Sequence, residues 1–387
     1  MRKIEKSIVN FLRVLVSTRS QIEVDNTDVI LEKITDWYKS RGLNGKYIFN
    51  DKNEKVAFLY EIIRDPSKPK ICLNACADTA PVGDVNEWKI NPFGGEIIDG
   101  KMFGRGVADS KASISIFSHL ANYFNDSEHM VNISFLFDVD EHSGQFNGIK
   151  AYLNSNNDIS AFALGYPGSE RLIIGSRGFY RCSIIFYGIS QHSGSSKKVE
   201  ANAINKATEF IDYVSKINLE TQVSKDFNIP PRISITEING GIGFSQIPNI
   251  CTIKLDFRLN SIVDINKARE IIVDAVNNCD QNYPNSKKSD IVEMESWDYF
   301  KTKEDSFFVD CLHKSAEQVL NKKIEKTVCG PSNIGNYIAE KDIDVTVGFG
   351  VEYENVHAAN ECVEVSSIIQ IYEIYKSTLI KYFLNKA

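Results

Sequence analysis

The chain has 387 residues, enough for two or three domains at roughly 150 residues each. Hydrophobic residues make up 43% and charged residues 25%, which excludes a disordered chain, a collagen or a small disulfide scaffold. Lys and Arg number 44 against 51 Asp and Glu, a formal net charge of -7, and no basic cluster is interleaved with aromatics, so no nucleic-acid surface is expected.

Ile4, Ile8, Phe11, Leu12 and Leu15 recur at helical spacing and predict an amphipathic helix over 2–18, not a signal peptide. A second helix is expected over 27–42. No window of about 18 apolar residues exists, so no membrane span is expected. Eight scattered cysteines without a CxxC pair predict reduced thiols in a cytoplasm and no structural zinc ribbon. Strands follow near 46–50 and 55–62. Lys70 to Cys76 is a short apolar strand running into Ala77-Asp78-Thr79. A long Gly- and Pro-rich loop spans Val82 to Ser110, then a helix is expected over 111–125. Val131 to Phe137 is an apolar strand ending in Asp140-Glu141-His142. A helix near 145–155 and a strand near 160–165 complete this stretch. Strands alternating with helices predict an α/β fold, a mostly parallel sheet with helices on both faces. Its chemistry should collect at the carboxyl ends of the strands.

The texture changes near 179. A strand at 181–187, a helix at 201–216, strands at 232–238 and 251–259 and a helix at 265–279 make a small α+β layer. The chain then returns to βα texture, with a helix at 305–321, a strand at 343–349 and a helix at 365–384. The division expected is one domain of 1–178 and 291–387 and an inserted lid or dimerisation domain of 179–290. Strand 181–187 is a candidate for edge-to-edge pairing across a two-fold axis.

Four clusters carry groups that bind zinc: Cys76-Ala77-Asp78, the loop Gly104 to Lys111 with Asp109, Glu141-His142, and His357 after the last strand. Each alone has a plain reading, as a helix cap or a solvated turn. Together with Val82-Gly83-Asp84, Trp88, Pro92-Phe93-Gly94-Gly95, Asp99-Gly100-Lys101 and Gly104-Arg105-Gly106, they resemble one family. It is the metal-dependent aminoacylase family of carboxypeptidase G, acetylornithine deacetylase and succinyl-diaminopimelate desuccinylase. Gly175 to Gly178, His192-Ser193, Asp256-Phe257-Arg258 and Asn360-Glu361 extend the match.

The resemblance implies a di-zinc site with Asp109 as the bridging carboxylate, Glu141 as general base and His357 as a ligand. It implies that His192 reaches the developing oxyanion, often from the other subunit of a homodimer. It implies that Arg258 holds a substrate carboxylate, with Asn333 near the place of a family Asp. Three ligand positions depart from the pattern. Cys76 stands for a histidine, His142 for the second acidic residue, and Tyr166 for a carboxylate before Pro167. Asp109, His142 and His357 would suit a single catalytic zinc. Cys76, Asp109 and Tyr166 make a poor second set, because a neutral phenol has a pKa of ~10. With Cys76 in place of histidine, Asp78 is expected to lose its task of orienting a ligand ring.

The implied reaction is hydrolysis of the amide bond of an N-acyl amino acid or small peptide, the small-molecule substrate. Two alternatives stay open: acyl transfer with Cys76 as nucleophile, and a binding protein with a dead site. The remaining cysteines, and His119, His129 and His313, read as packing or loop residues.

Overall fold

The computed structural model describes residues 3–155 and 158–384. The chain divides into two compact units. The first comprises Met1–Ile174, Thr302–Thr327 and Ile338–Ala387; the second comprises Gly175–Lys301 and Val328–Tyr337. The inserted unit thus begins near 175 and runs to 301, not from 179 to 290, and a late segment of the chain joins it.

The first unit is built on a six-stranded sheet. In spatial order its strands are Lys46–Phe49, Lys55–Ile63, Asn132–Asp138, Lys70–Cys76, Ile159–Leu164 and Asp344–Val347. The last four run parallel; the first two form an antiparallel margin. Every residue of strands 70–76 and 132–138 is buried, as both faces of a parallel sheet must be. On one face Ile71, Leu73, Ala75, Ile133, Phe135 and Phe137 join the main core. That core also takes Ile8, Leu12 and Leu15 of helix Lys3–Ser17, Ile116 and Leu120 of helix Ala112–Asp126, and Ile371 and Tyr375 of helix Val365–Leu384. On the other face Ser134 accepts the Tyr152 hydroxyl of helix Asn147–Asn154 at 2.8 Å. The expected α/β architecture with a mostly parallel sheet is the observed one.

The Gly- and Pro-rich stretch is more ordered than its composition suggests. Ile97–Ile98 and Lys101–Phe103 form strands of a second small sheet, completed by Cys362–Glu364 and Tyr353–Glu354. This sheet ties the loop that carries Asp109 to the segment that carries His357.

The second unit is an antiparallel sheet ordered Arg232–Gly240, Ile250–Arg258, Phe179–Tyr187, Asp290–Glu293. Alternate residues Cys182, Ile184 and Phe186 face Phe210 of helix Ala203–Ser215 and Ile272 of helix Ile265–Gln281. Asn202 and Asp264 cap these helices, accepting from the amides of Ile204 and Lys267 at 2.9 and 2.8 Å. Strand 179–187 is interior, paired on both sides, so its backbone has no free edge over 182–185 for a partner chain. The expectation of edge-to-edge pairing through 181–187 fails for that reason; strand 232–240 lies at the margin instead. All eight cysteines are free thiols. Among the described residues, no helix is long and apolar enough to cross a membrane.

Candidate active site

Neighbouring parallel strands end side by side, so the residues just beyond them converge. Strand 70–76 delivers Cys76 and Asp78, strand 132–138 Glu141 and His142, strand 159–164 Tyr166. Asp109 and His357 arrive on the two linked loops. A buried carboxylate joins these loops. Glu361 takes the Arg105 guanidinium at 2.6 Å and the amides of Gly106 and Ala108 at 3.0 Å each. Arg105 and Glu361 are each 1% exposed, so this ion pair is fully desolvated and held by added hydrogen bonds. Gly106 sits at φ 75°, where a Cβ would lie 2.4 Å from the Thr79 side chain, so only glycine fits.

Asp109, His142 and His357 each offer one ligand atom, and these atoms lie within 4.8 Å of one another. His357 Nε2 is 3.1 Å from Asp109 Oδ2, and His142 Nε2 is 3.9 Å from the same oxygen. Two buried atoms of this set, His142 Nε2 and Asp109 Oδ1, have no hydrogen-bond partner among the described residues. Buried polar atoms are rarely left so, and an imidazole nitrogen facing a carboxylate oxygen is the donor set of a zinc site. These residues could hold a metal ion.

Asp78 is fully buried and keeps an orienting task, contrary to the expectation from sequence. Its Oδ1 accepts the Glu141 amide at 3.2 Å; its Oδ2 accepts the His142 amide at 2.9 Å and lies 3.1 Å from His142 Nδ1. The ring that Asp78 orients is that of His142. With Nδ1 engaged, Nε2 points to Asp109. Burial opposes charge on His142, but the Asp78 bond and three nearby carboxylates outweigh it and push its pKa up to about 9.

Glu141 is bracketed. The Tyr166 hydroxyl donates to its Oε1 at 3.0 Å, and His142 Nδ1 is 3.0 Å from its Oε2. Burial, with Asp109 and Asp78 beside it, pushes Glu141 up to about 7, the range of a working general base. Burial and the surrounding carboxylates hold the Cys76 thiol well above its ordinary range. Its Sγ lies 3.3 Å from Ser110 Oγ. Cys76, Asp78 and His142 also group within 4.8 Å, but Asp78 and His142 there are spent on each other. A thiol kept protonated, with its neighbouring imidazole bonded elsewhere, lacks the activation a nucleophile needs.

The other residues expected to act belong to the second unit. His192 is exposed on the short strand Gln191–His192, and its Nδ1 accepts the Gly194 amide at 3.0 Å. Arg258 bonds Asp256 at 2.6 Å and Ser332 Oγ at 3.3 Å. Asn333 Oδ1 accepts the Gly335 amide at 2.8 Å. Arg177 was not singled out from sequence. Burial, then Arg258 and Arg232, lower its pKa, so it belongs to a cationic cluster. Its place inside the Gly175–Gly178 motif was the available signal. Glu361, likewise, was visible only as part of a motif.

The model of peptidase family M20/M25/M40 matches residues 72–381. A succinyl-diaminopimelate desuccinylase of Buchnera aphidicola is 29% identical over 303 residues, covering 75% of this chain and 78% of that protein. Aminopeptidase PepT of Bacillus cereus shares the fold with a TM-score of 0.77 at 16% identity, covering 98% of each chain. A Staphylococcus aureus tripeptidase does so at 0.76 and 18% identity, over 98% of this chain and 99% of that one. The chain belongs to peptidase family M20/M25/M40, metal-dependent hydrolases, and cleaves the amide bond of acyl amino acids or small peptides.

Proposed function

We propose that the chain is a deacylase of N-acyl amino acids in the cytoplasm, with one zinc ion held by Asp109, His142 and His357. The observation that carries this reading is the pair of buried, unpartnered atoms, His142 Nε2 and Asp109 Oδ1, beside Glu141. When bound, zinc supplies a Lewis acid for the carbonyl and acidifies water. Glu141 takes the proton of the attacking water and later gives it to the leaving amine. Asp78 fixes the His142 ring. Arg258, with Arg177 and Asn333 on the same unit, is read as holding the free carboxylate of the substrate. His192 is read as a donor to the developing oxyanion, supplied by the partner chain of a homodimer. Strand 232–240, at one margin of its sheet, is read in place of the interior 179–187 as the edge for such a partner.

The Buchnera relative's name makes N-succinyl amino acids the first substrates to assay. Release of free amine is expected from them or from N-acetyl amino acids, and is expected to stop with a zinc chelator. Hydrolysis indifferent to chelator, with an acyl adduct on Cys76, would replace this reading with thiol chemistry.

A further inference from the structure

The side of the site formed by Cys76 and Tyr166 is closed by the protein's own hydrogen bonds. Tyr166 has one hydroxyl proton, and it goes to Glu141 Oε1 at 3.0 Å. The other Glu141 oxygen lies 3.0 Å from His142 Nδ1, an ion-pair contact to a ring whose Nδ1 is hydrogen-bonded to Asp78, so the Tyr166 hydroxyl is the directed bond on this carboxylate. The Cys76 amide donates to Ser110 Oγ at 2.9 Å, and that hydroxyl lies 3.3 Å from both the Cys76 carbonyl oxygen and its sulfur.

The backbone around Tyr166 is set tightly. Gly165 donates to Asn74 O at 2.7 Å, and Gly348 donates to Leu164 O at 3.1 Å. A Cβ at Gly348 would lie 3.0 Å from Tyr166 Cβ, and one at Gly350 2.4 Å from Tyr166 O. Two glycines therefore form a close wall against this one residue, and no side chain at either position would leave Tyr166 where it is. These contacts fix the backbone and Cβ of Tyr166, from which its hydroxyl reaches Glu141.

We propose that Tyr166 is a positioning residue for Glu141, and that Tyr166 and Cys76 close with protein hydrogen bonds the place the family resemblance assigns to a second metal ion. The chain then works with one ion, and the phenol holds the base in place. A hydroxyl holds Glu141 without neutralising it, so the base keeps its charge for the proton transfer. This inference rests on the zinc reading of Asp109, His142 and His357.

Zinc calorimetry on the full chain tests it without relying on activity. The unsubstituted protein, Tyr166→Phe and Cys76→Ala should each bind one equivalent, with Kd values within about threefold of each other. In steady-state hydrolysis, Tyr166→Phe should lower kcat ~10–100-fold with KM nearly unchanged, the scale of a lost supporting bond. Two equivalents in the unsubstituted protein, a tenfold or greater loss of affinity in either variant, or an unchanged kcat in Tyr166→Phe would overturn the proposal. An unsubstituted protein that binds one zinc but hydrolyses no acyl amino acid would sink the functional reading alone; the calorimetry would still decide whether Tyr166 and Cys76 are ligands.

Discussion

The two sides of the active site differ in what their polar atoms have left to offer. On the side of Asp109, His142 and His357, two buried atoms lack any hydrogen-bond partner among the described residues, although the groups around them are fixed by other bonds. On the side of Cys76 and Tyr166, the hydroxyl and the thiol are engaged by Glu141 and Ser110. Both sides carry residue types able to bind metal, so type alone does not separate them. Unspent bonding capacity does, and it is the ground on which the proposal puts the ion on one side and support of the base on the other.

The largest effect expected on this contrast comes from Glu141→Gln. It preserves shape and removes the proton acceptor, so kcat should fall by ~10²–10⁴-fold while zinc binding stays. Loss of zinc with it would move Glu141 to the ligand side. Asp78→Asn comes next. It weakens the bond that fixes the His142 ring, and zinc affinity should fall ~10–100-fold. An unaltered affinity, read by competition with a chromogenic chelator, would mean that His142 is held without Asp78. Cys76→Ser should change kcat/KM least, by less than about fivefold, because the thiol touches neither ion nor acyl group in this account. Complete loss of activity in that variant, still folded by circular dichroism, would return the nucleophile reading.

A pH effect on stability sits far from this contrast and calibrates it. His119 packs against Trp37 and Phe11, with its ring nitrogens against Ser7 Oγ and Ser115 O. Burial pushes its pKa down to about 4, against about 6.5 in the unfolded chain. Between these values the unfolded state binds more protons, so stability present above pH 6.5 is lost as pH falls toward 4. The loss is at most roughly 3 kcal/mol. Denaturant midpoints of the parent and His119→Gln, compared at pH 7 and pH 5, should show a smaller acid loss in the variant. Parallel losses would contradict the buried neutral ring.

The elements with strong periodicity were legible in the sequence. Helix 3–17 follows its stripe of Ile8, Leu12 and Leu15, and strand 70–76 its apolar run. Asp109 and Glu141 were readable because motifs place them just after glycine turns or strand ends. The Asp78–His142 pairing was not readable. It depends on strands 70–76 and 132–138 being neighbours, and no local pattern says which strands adjoin. The small sheet through 97–98, 101–103 and 362–364 was missed because strands of two or three residues carry no period. That sheet and Glu361 hold the Asp109 and His357 loops together across some 250 positions, a relation invisible to any window. The interior place of strand 179–187 was hidden for the same reason, since alternation tells which face is buried and not which edge is free.

The central claim is where the ion sits, and anomalous scattering from zinc-loaded crystals tests it most directly. The account predicts one peak per chain, bounded by Asp109, His142 Nε2 and His357 Nε2, with Tyr166 still bonded to Glu141. A peak coordinated by Cys76 or Tyr166, or a second peak between them, would contradict it.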